Sequence, residues 1–308
     1  MLKNDWSNDF ITKLGLIIPE HRLLINEPMS RHTTFKIGGP ADFLAMPATI
    51  AEVAAILDIA KEYKVPVVTF GNGSNVLVLD KGIRGIVLKF GRDMGYIRHK
   101  DSTIIAGAGA MLASVSRYAA DNKLTGMEFA VGIPGSVGGA VFMNAGAYEG
   151  EMSCVVSAVA CVCENGKIRR FSNEDSKFSY RHSVFQDNGC TICEVELTLE
   201  EGEPDIIRSK MTEYINRRQT KQPVELPSAG STFKRPPGYY AGTLIDQAGL
   251  KGLTVGGAQV STKHAGFIVN TGGATANDVL TLIKEVQSRV HDIYGIDLQP
   301  EVRILGEG

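Results

Sequence analysis

Three glycine clusters crowd into one stretch of the chain: Gly71-Asn72-Gly73-Ser74-Asn75, Gly107-Ala108-Gly109, and Gly132-Ile133-Pro134-Gly135-Ser136-Val137-Gly138-Gly139-Ala140. A residue without a Cβ allows positive φ and close approach of other groups, so each cluster marks a loop whose backbone N–H groups can face a ligand. Successive N–H groups of this kind form nests suited to a pyrophosphate. A tight turn in a crowded sheet would explain any one cluster; three in one window favour a dinucleotide cradle. No Rossmann fingerprint is completed, because Val76 stands where the third glycine after Gly71 and Gly73 would fall. A phosphate loop ending in Gly-Lys-Ser/Thr is absent too.

The charge balance narrows the ligand further. With 32 basic and 34 acidic side chains the net charge is −2, so there is no global basic field for nucleic acid or an anionic membrane, and any anionic ligand must be held locally. No run approaches the ~18 apolar residues of a membrane span, and nothing near residues 14–18 has the form of a signal peptide. A cytoplasmic chain is expected, acting as a monomer with no nucleic-acid or membrane partner. Its 308 residues exceed what one core usually serves, and segments 1–92, 93–204 and 205–308 are the expected domains. Five cysteines, at 154, 161, 163, 190 and 193, are an odd number outside a secretory context. Free thiols buried in strands are expected rather than a disulfide framework, and no metal site.

Hydrophobic periodicity predicts short α/β units in the first third. A strand is expected at 41–46, then a helix opened by a Thr49/Glu52 capping box with Val53, Ile56, Leu57 and Ala60 inward, then strands at 67–70, 76–79 and 86–90. A strand at 104–106 and a helix at 112–120 precede a hairpin of 155–163 with 168–171 through Asn165-Gly166. The pattern predicts a helix over 205–218 with Ile206, Met211, Tyr214 and Ile215 inward, stopped at Pro223. The clearest helix is capped by Thr275 and Asp278, carries Val279, Ile283, Val286, Val290 and Ile293 on one face, and closes at Gly295. A strand at 302–305 ends the chain.

Residues 71–77 and 132–139, followed by Asn144-Ala145-Gly146-Ala147, resemble the FAD-binding segments of vanillyl-alcohol-oxidase type flavoproteins. Tyr180-Arg181, the run 230–236, the run 244–252 and Pro300-Glu301-Val302-Arg303 resemble, within that superfamily, the UDP-N-acetylenolpyruvoylglucosamine reductases. The resemblance spans nearly the whole chain. It implies an α+β fold: a two-part FAD-binding module of the vanillyl-alcohol-oxidase/PCMH type plus a C-terminal α+β substrate-binding domain. Only 50 residues separate Arg181 from Ser231, so the chain resembles the shorter branch, which lacks the loop with a substrate-covering tyrosine. Tyr239 or Tyr240 is a candidate replacement.

The resemblance further implies non-covalent FAD, NADPH as hydride donor and a sugar-nucleotide substrate whose enolpyruvyl ether is reduced. Cofactor contacts are then expected from Gly71, Asn72, Gly73, Ser74, Asn75, Val76, Leu77, Ile133, Pro134, Gly135, Ser136, Gly138, Gly139, Ala140 and Arg303. The implied catalytic residues are Arg181, Ser231 and Glu301. Arg181 can grip both oxygens of a carboxylate on which charge develops, and Ser231 can give a proton to the adjacent carbon. Glu301 either donates a hydrogen bond to that carboxylate or, if ionised, orients Arg181 or a water. Substrate contacts are expected from Tyr180, Arg218, Lys221, Lys234, Tyr239, Lys263 and His264, the basic ones serving the diphosphate, with Arg217 beside them. Two other classes fit less well: a flavin oxidase of the same fold, and a nucleotide-binding protein without catalysis.

Overall fold

The computed structural model describes residues 8–164 and 166–308. Asn165, expected in the hairpin turn, lies outside them. The chain forms two compact units, each discontinuous in sequence: residues 1–26, 42–72 and 85–216 in the first, and 27–41, 73–84 and 217–308 in the second. The sequence suggests three contiguous segments; the helix over Pro204–Lys221 passes from the first unit into the second at residue 217.

The first unit is built mainly on two sheets. One has the order Leu23–Pro28, Pro40–Ala45, Ile83–Lys89, Val67–Phe70. The other is antiparallel throughout, in the order Ile168–Ser172, Val156–Val162, Thr191–Thr198, Thr103–Gly107, Ile97–Lys100. Their apolar faces join the helices Ile50–Glu62 and Leu112–Asp121 in one core that includes Phe43, Val53, Ile56, Ile104, Val115 and Val195. At the start of Ile50–Glu62 the capping box is only half made. Thr49 Oγ1 accepts from Glu52 N–H (3.1 Å), but the Glu52 carboxylate takes Ala48 N–H (2.7 Å) and the Arg22 guanidinium (2.7 and 3.0 Å). A paired cation outcompetes the cap.

Strand register also corrects the cysteine expectation. Val162 faces Thr191 across the antiparallel pair, so the next facing residues are Cys163 and Cys190, and these form a disulfide with Cα atoms 4.1 Å apart. Spacing could not reveal this, because the two strands are not neighbours in sequence. Cys161 and Cys193 stay free and buried, and burial raises both thiol pKa values. Cys154 is free and exposed.

The second unit has its own core around Leu244, Ile268, Val279, Ile283 and Val286. Its antiparallel sheet runs Ser228–Ser231, Phe267–Asn270, Ala258–Val260, Thr254–Val255. The helix Ala276–Tyr294 has the expected capping box, and Gly295 closes it at φ 66°. Ile293, expected inward, is 56% exposed. The register error in Pro204–Lys221 is similar: Ile207 and Met211 are buried, whereas Ile206 is 57% exposed. The last strand, Arg303–Leu305, pairs in parallel with Val76–Val78.

Candidate active site

In the first unit the glycine clusters converge by steric necessity. A Cβ on Gly71 would lie 2.3 Å from Ser136 Oγ, and one on Gly138 would lie 2.8 Å from Ala108 Cβ. A side chain at either position would force its neighbour to shift. Ser136 caps the short helix Val137–Phe142, taking Gly139 N–H at 3.4 Å. Asn72 Nδ2 donates to Pro134 O, joining the first cluster to the third. The middle cluster serves as packing: Val137 and Gly138 N–H groups bond Ala110 and Ala108 carbonyls (2.8 and 2.9 Å), and Cβ atoms on Gly107 or Gly109 would meet backbone oxygens at 2.2 Å. Gly71, Asn72 and 133–140 therefore form a cradle, with 107–109 as its support. Lys89, which sequence reasoning missed, donates to Gly71 O (3.1 Å), and burial lowers its pKa. A lysine inside the apolar run 86–90 was the available signal.

Arg181 sits at the tip of a two-residue turn in the same unit. Ser179 and His182 exchange backbone hydrogen bonds of 3.0 and 3.1 Å, and Arg181 itself is left-handed, φ 55°. Its guanidinium lies 5.1 Å from the centre of the Tyr180 ring. Two further residues hold the turn, Asn144 from a segment that resembles the FAD-binding ones and Gln186, which no motif marks. Asn144, fully buried, donates to Ser179 O (3.1 Å), and Gln186 Nε2 donates to Arg181 O (3.0 Å).

In the second unit Gly73 adopts φ 66° and its carbonyl takes Thr34 N–H (3.1 Å). Among the described residues no protein acceptor takes the N–H groups of Gly73 and Ser74, so these donors suit a diphosphate. Beyond them, Asn75 Nδ2 donates to Glu301 O (3.3 Å), and Arg303 N–H to Asn75 O (3.0 Å). Glu301 N–H in turn bonds Thr232 O at 2.8 Å, and Phe233 pairs with Pro300. The flavin-loop candidates Asn75 to Leu77, Arg303, Glu301 and the segment bearing Ser231 are thus brought together on one strand edge. Ser231 ends the strand Ser228–Ser231 opposite Phe267, past a bulge where Gly230 has φ 76°, and its side chain is exposed.

The basic candidates divide. Arg218 and Lys221 occupy the last turn of Pro204–Lys221. Lys263 Nζ reaches Gln219 O there (2.7 Å) and Glu225 (3.4 Å), so it caps that helix end. His264 is no cation: its Nδ1 accepts from Gly266 N–H (3.1 Å) and burial lowers its pKa. Lys234 lies on the Glu301 ladder, its N–H on Gln299 O (2.8 Å). Tyr239 is exposed in the loop after it, where Arg235 stacks 4.0 Å over Tyr240.

Residues 41–172 match the family described as FAD binding domain, and residues 222–305 that described as UDP-N-acetylenolpyruvoylglucosamine reductase, C-terminal domain. A relative named UDP-N-acetylenolpyruvoylglucosamine reductase, from Caldanaerobacter subterraneus, is 50% identical over 96% of this chain and 98% of its own length. Its namesake from Clostridium perfringens is 47% identical over 97% and 98%. The crystal structure of UDP-N-acetylenolpyruvylglucosamine reductase from Thermus caldophilus matches with a TM-score of 0.79 at 36% identity, covering 92% of this chain and 98% of that one. 4-Ethylphenol oxidase from Gulosibacter chungangensis, at 18% identity and a TM-score of 0.50, shares the fold alone, over 63% of this chain and 42% of its own. Sequence identity of this extent over almost the full length of both chains leaves one assignment: the chain belongs to the UDP-N-acetylenolpyruvoylglucosamine reductase family.

Proposed function

We propose that the chain reduces UDP-N-acetylglucosamine enolpyruvate to UDP-N-acetylmuramate, a step in making peptidoglycan precursors, with non-covalent FAD and with NADPH as hydride donor. The observation that supports this best is the joining of Asn75 to Glu301 and of Glu301 to Thr232, next to Ser231, within the second unit. Residues 71–77, 133–140 and Arg303 would hold the cofactor: the close approach of Gly71 to Ser136 shapes the loop in the first unit, and the N–H groups of Gly73 and Ser74 offer donors in the second. Bound there, FAD would supply the hydride chemistry that links NADPH to the vinyl methylene carbon.

The residues then handle the charge and the proton. Negative charge left on the α-carbon spreads into its carboxylate, and Arg181 holds both carboxylate oxygens with a planar, permanently charged fork. Ser231 gives its proton to the α-carbon; the hydroxyl is a weak acid, but the carbanion is a strong base and water restores the proton. Glu301 assists at the carboxylate end. Arg218, Lys221 and Lys234 meet the substrate diphosphate, Lys263 steadies the helix end that carries the first two, His264 is a neutral donor, and Tyr180 and Tyr239 are aromatic walls. A sugar nucleotide and NADPH are intracellular solutes, so the cytoplasm is the working compartment. No helix among the described residues is long and apolar enough to cross a membrane.

The test is an anaerobic titration. NADPH should bleach the yellow protein, and the enolpyruvyl sugar nucleotide should restore its colour. Colour restored only by oxygen would instead make the chain an oxidase. Acid precipitation should leave the flavin in the supernatant, and protein that cannot be reconstituted with FAD overturns the proposal.

A further inference from the structure

Arg181 is an L-residue in the left-handed region, φ 55°. Such a conformation persists only where the surroundings over-determine it. The reciprocal Ser179–His182 bonds close the turn, and the buried Asn144 amide holds its first carbonyl, Ser179 O, at 3.1 Å. The carbonyl of Arg181 itself is held by the Gln186 carboxamide, which donates to Arg181 O (3.0 Å) and to Phe142 O (2.9 Å). Both neighbours are carbonyls, so only the amide nitrogen, with its two hydrogens, can face them. Phe142 is the last residue of the helix Val137–Phe142, whose first turn carries Gly138 and Gly139, and Ser183 Oγ bonds the same carbonyl at 2.8 Å. One side chain therefore ties the arginine's own backbone to the helix that opens the glycine cradle, all within the first unit.

We propose that Gln186 is a positioning residue for Arg181, fixing the turn that carries the guanidinium to the carboxyl end of the cradle helix. The inference rests on the reading of Arg181 as the grip on the enolpyruvyl carboxylate. That grip is needed most as charge develops, so misplacing it slows turnover more than it weakens binding.

Gln186→Met keeps the length and removes both donors. Flavin reduction by NADPH should stay within about twofold of the parent protein, while reoxidation by the enolpyruvyl sugar nucleotide should fall roughly 10–100-fold, in kcat more than in KM. Hydrogen exchange read on the protein alone should speed up across 179–187 and remain unchanged across 276–294. In an Arg181→Lys background the same change should cost nearly nothing more, because the residue acts through Arg181. Gln186→Glu keeps the shape and turns donors into acceptors, so it reads the hydrogen bonds if Gln186→Met does not fold. If Arg181→Lys is impaired but both Gln186 variants reoxidise normally, or if the two sites prove additive, the positioning role is wrong and the reading of Arg181 stands. If Arg181→Lys reoxidises normally, the parent reading fails and the inference with it. Equal loss of both half-reactions would make Gln186 merely structural and overturn the proposal.

Discussion

In the second unit, Ser231 and Glu301 hang from main-chain ladders: Ser231 faces Phe267 across the sheet, and Glu301 N–H bonds Thr232 O. In the first unit, Arg181 is held by side chains of Asn144 and Gln186, and the cradle beside it exists because Gly71 and Gly138 lack a Cβ. A ladder belongs to the backbone and survives most substitutions, whereas a clamp or a close approach belongs to particular residues. Chemistry and scaffold are therefore separable in the second unit and fused in the first.

The sharpest way to break that contrast is a pair of alanine substitutions. Ser231→Ala removes a hydroxyl from an exposed position, so FAD content and flavin reduction by NADPH should be unchanged. Reoxidation by the enolpyruvyl substrate should fall by about 10²–10⁴-fold, the usual worth of one proton donor. Gly71→Ala drives a Cβ to 2.3 Å from Ser136 Oγ, and the purified protein should lose flavin itself. Flavin absorbance per protein, measured beside the two half-reactions, decides. A Ser231→Ala protein without flavin, or a Gly71→Ala protein with full flavin and normal rates, would erase the distinction.

A second, smaller test concerns the disulfide, which staples only the first unit. Cys163 and Cys190 are 27 residues apart, and by the chain-entropy account closing such a loop is worth about 3.5 kcal/mol. Reduction, or Cys163→Ser, should lower the denaturation midpoint of the first unit and leave hydrogen exchange in 276–294 unchanged. Peptide mapping without reductant should recover 163 linked to 190. Recovery of five free thiols from air-exposed protein would remove this staple from the account.

Where the sequence was legible, the signal was local. Thr275, Asp278 and Gly295 bound one helix because caps are made within three or four residues, and Val67–Phe70 was readable because β-branched residues end at a glycine turn. The family motifs single out Arg181, Ser231 and Glu301 as candidates for the same reason, each lying in a short recognisable run. The features missed depend on what is packed against them. Ile206 and Ile207 differ by one position on a helix whose core face is set by Ala120 and Val131. Glu52 was diverted by Arg22, 30 residues away, and the Cys163–Cys190 pairing follows from a register between distant strands. Gln186 carried no signal at all, since a glutamine is ordinary until two carbonyls face it.

The smallest effect expected comes from a cap in the second unit, where local chemistry should act without touching the site. Asp278 accepts Thr275 N–H at 3.0 Å and, more weakly, Gly257 N–H at 3.4 Å. The Thr275 backbone bond is the chief cause holding its carboxyl below the usual value of 3.8. A carboxyl depressed in the folded state contributes its full stability above the unfolded pKa and loses it as pH falls through the lower folded value. Asp278→Ala should therefore cost up to ~1 kcal/mol at pH 7, as caps usually do. The gap between parent and variant should narrow below about pH 4, where the carboxyl of the unfolded parent begins to take up protons, and close as pH passes the lower folded value. Half-reaction rates should be the same in both proteins. Denaturant midpoints at pH 7 and pH 3 give the comparison; a gap that persists undiminished at pH 3 would mean that the side chain stabilises the helix by packing rather than by its charge.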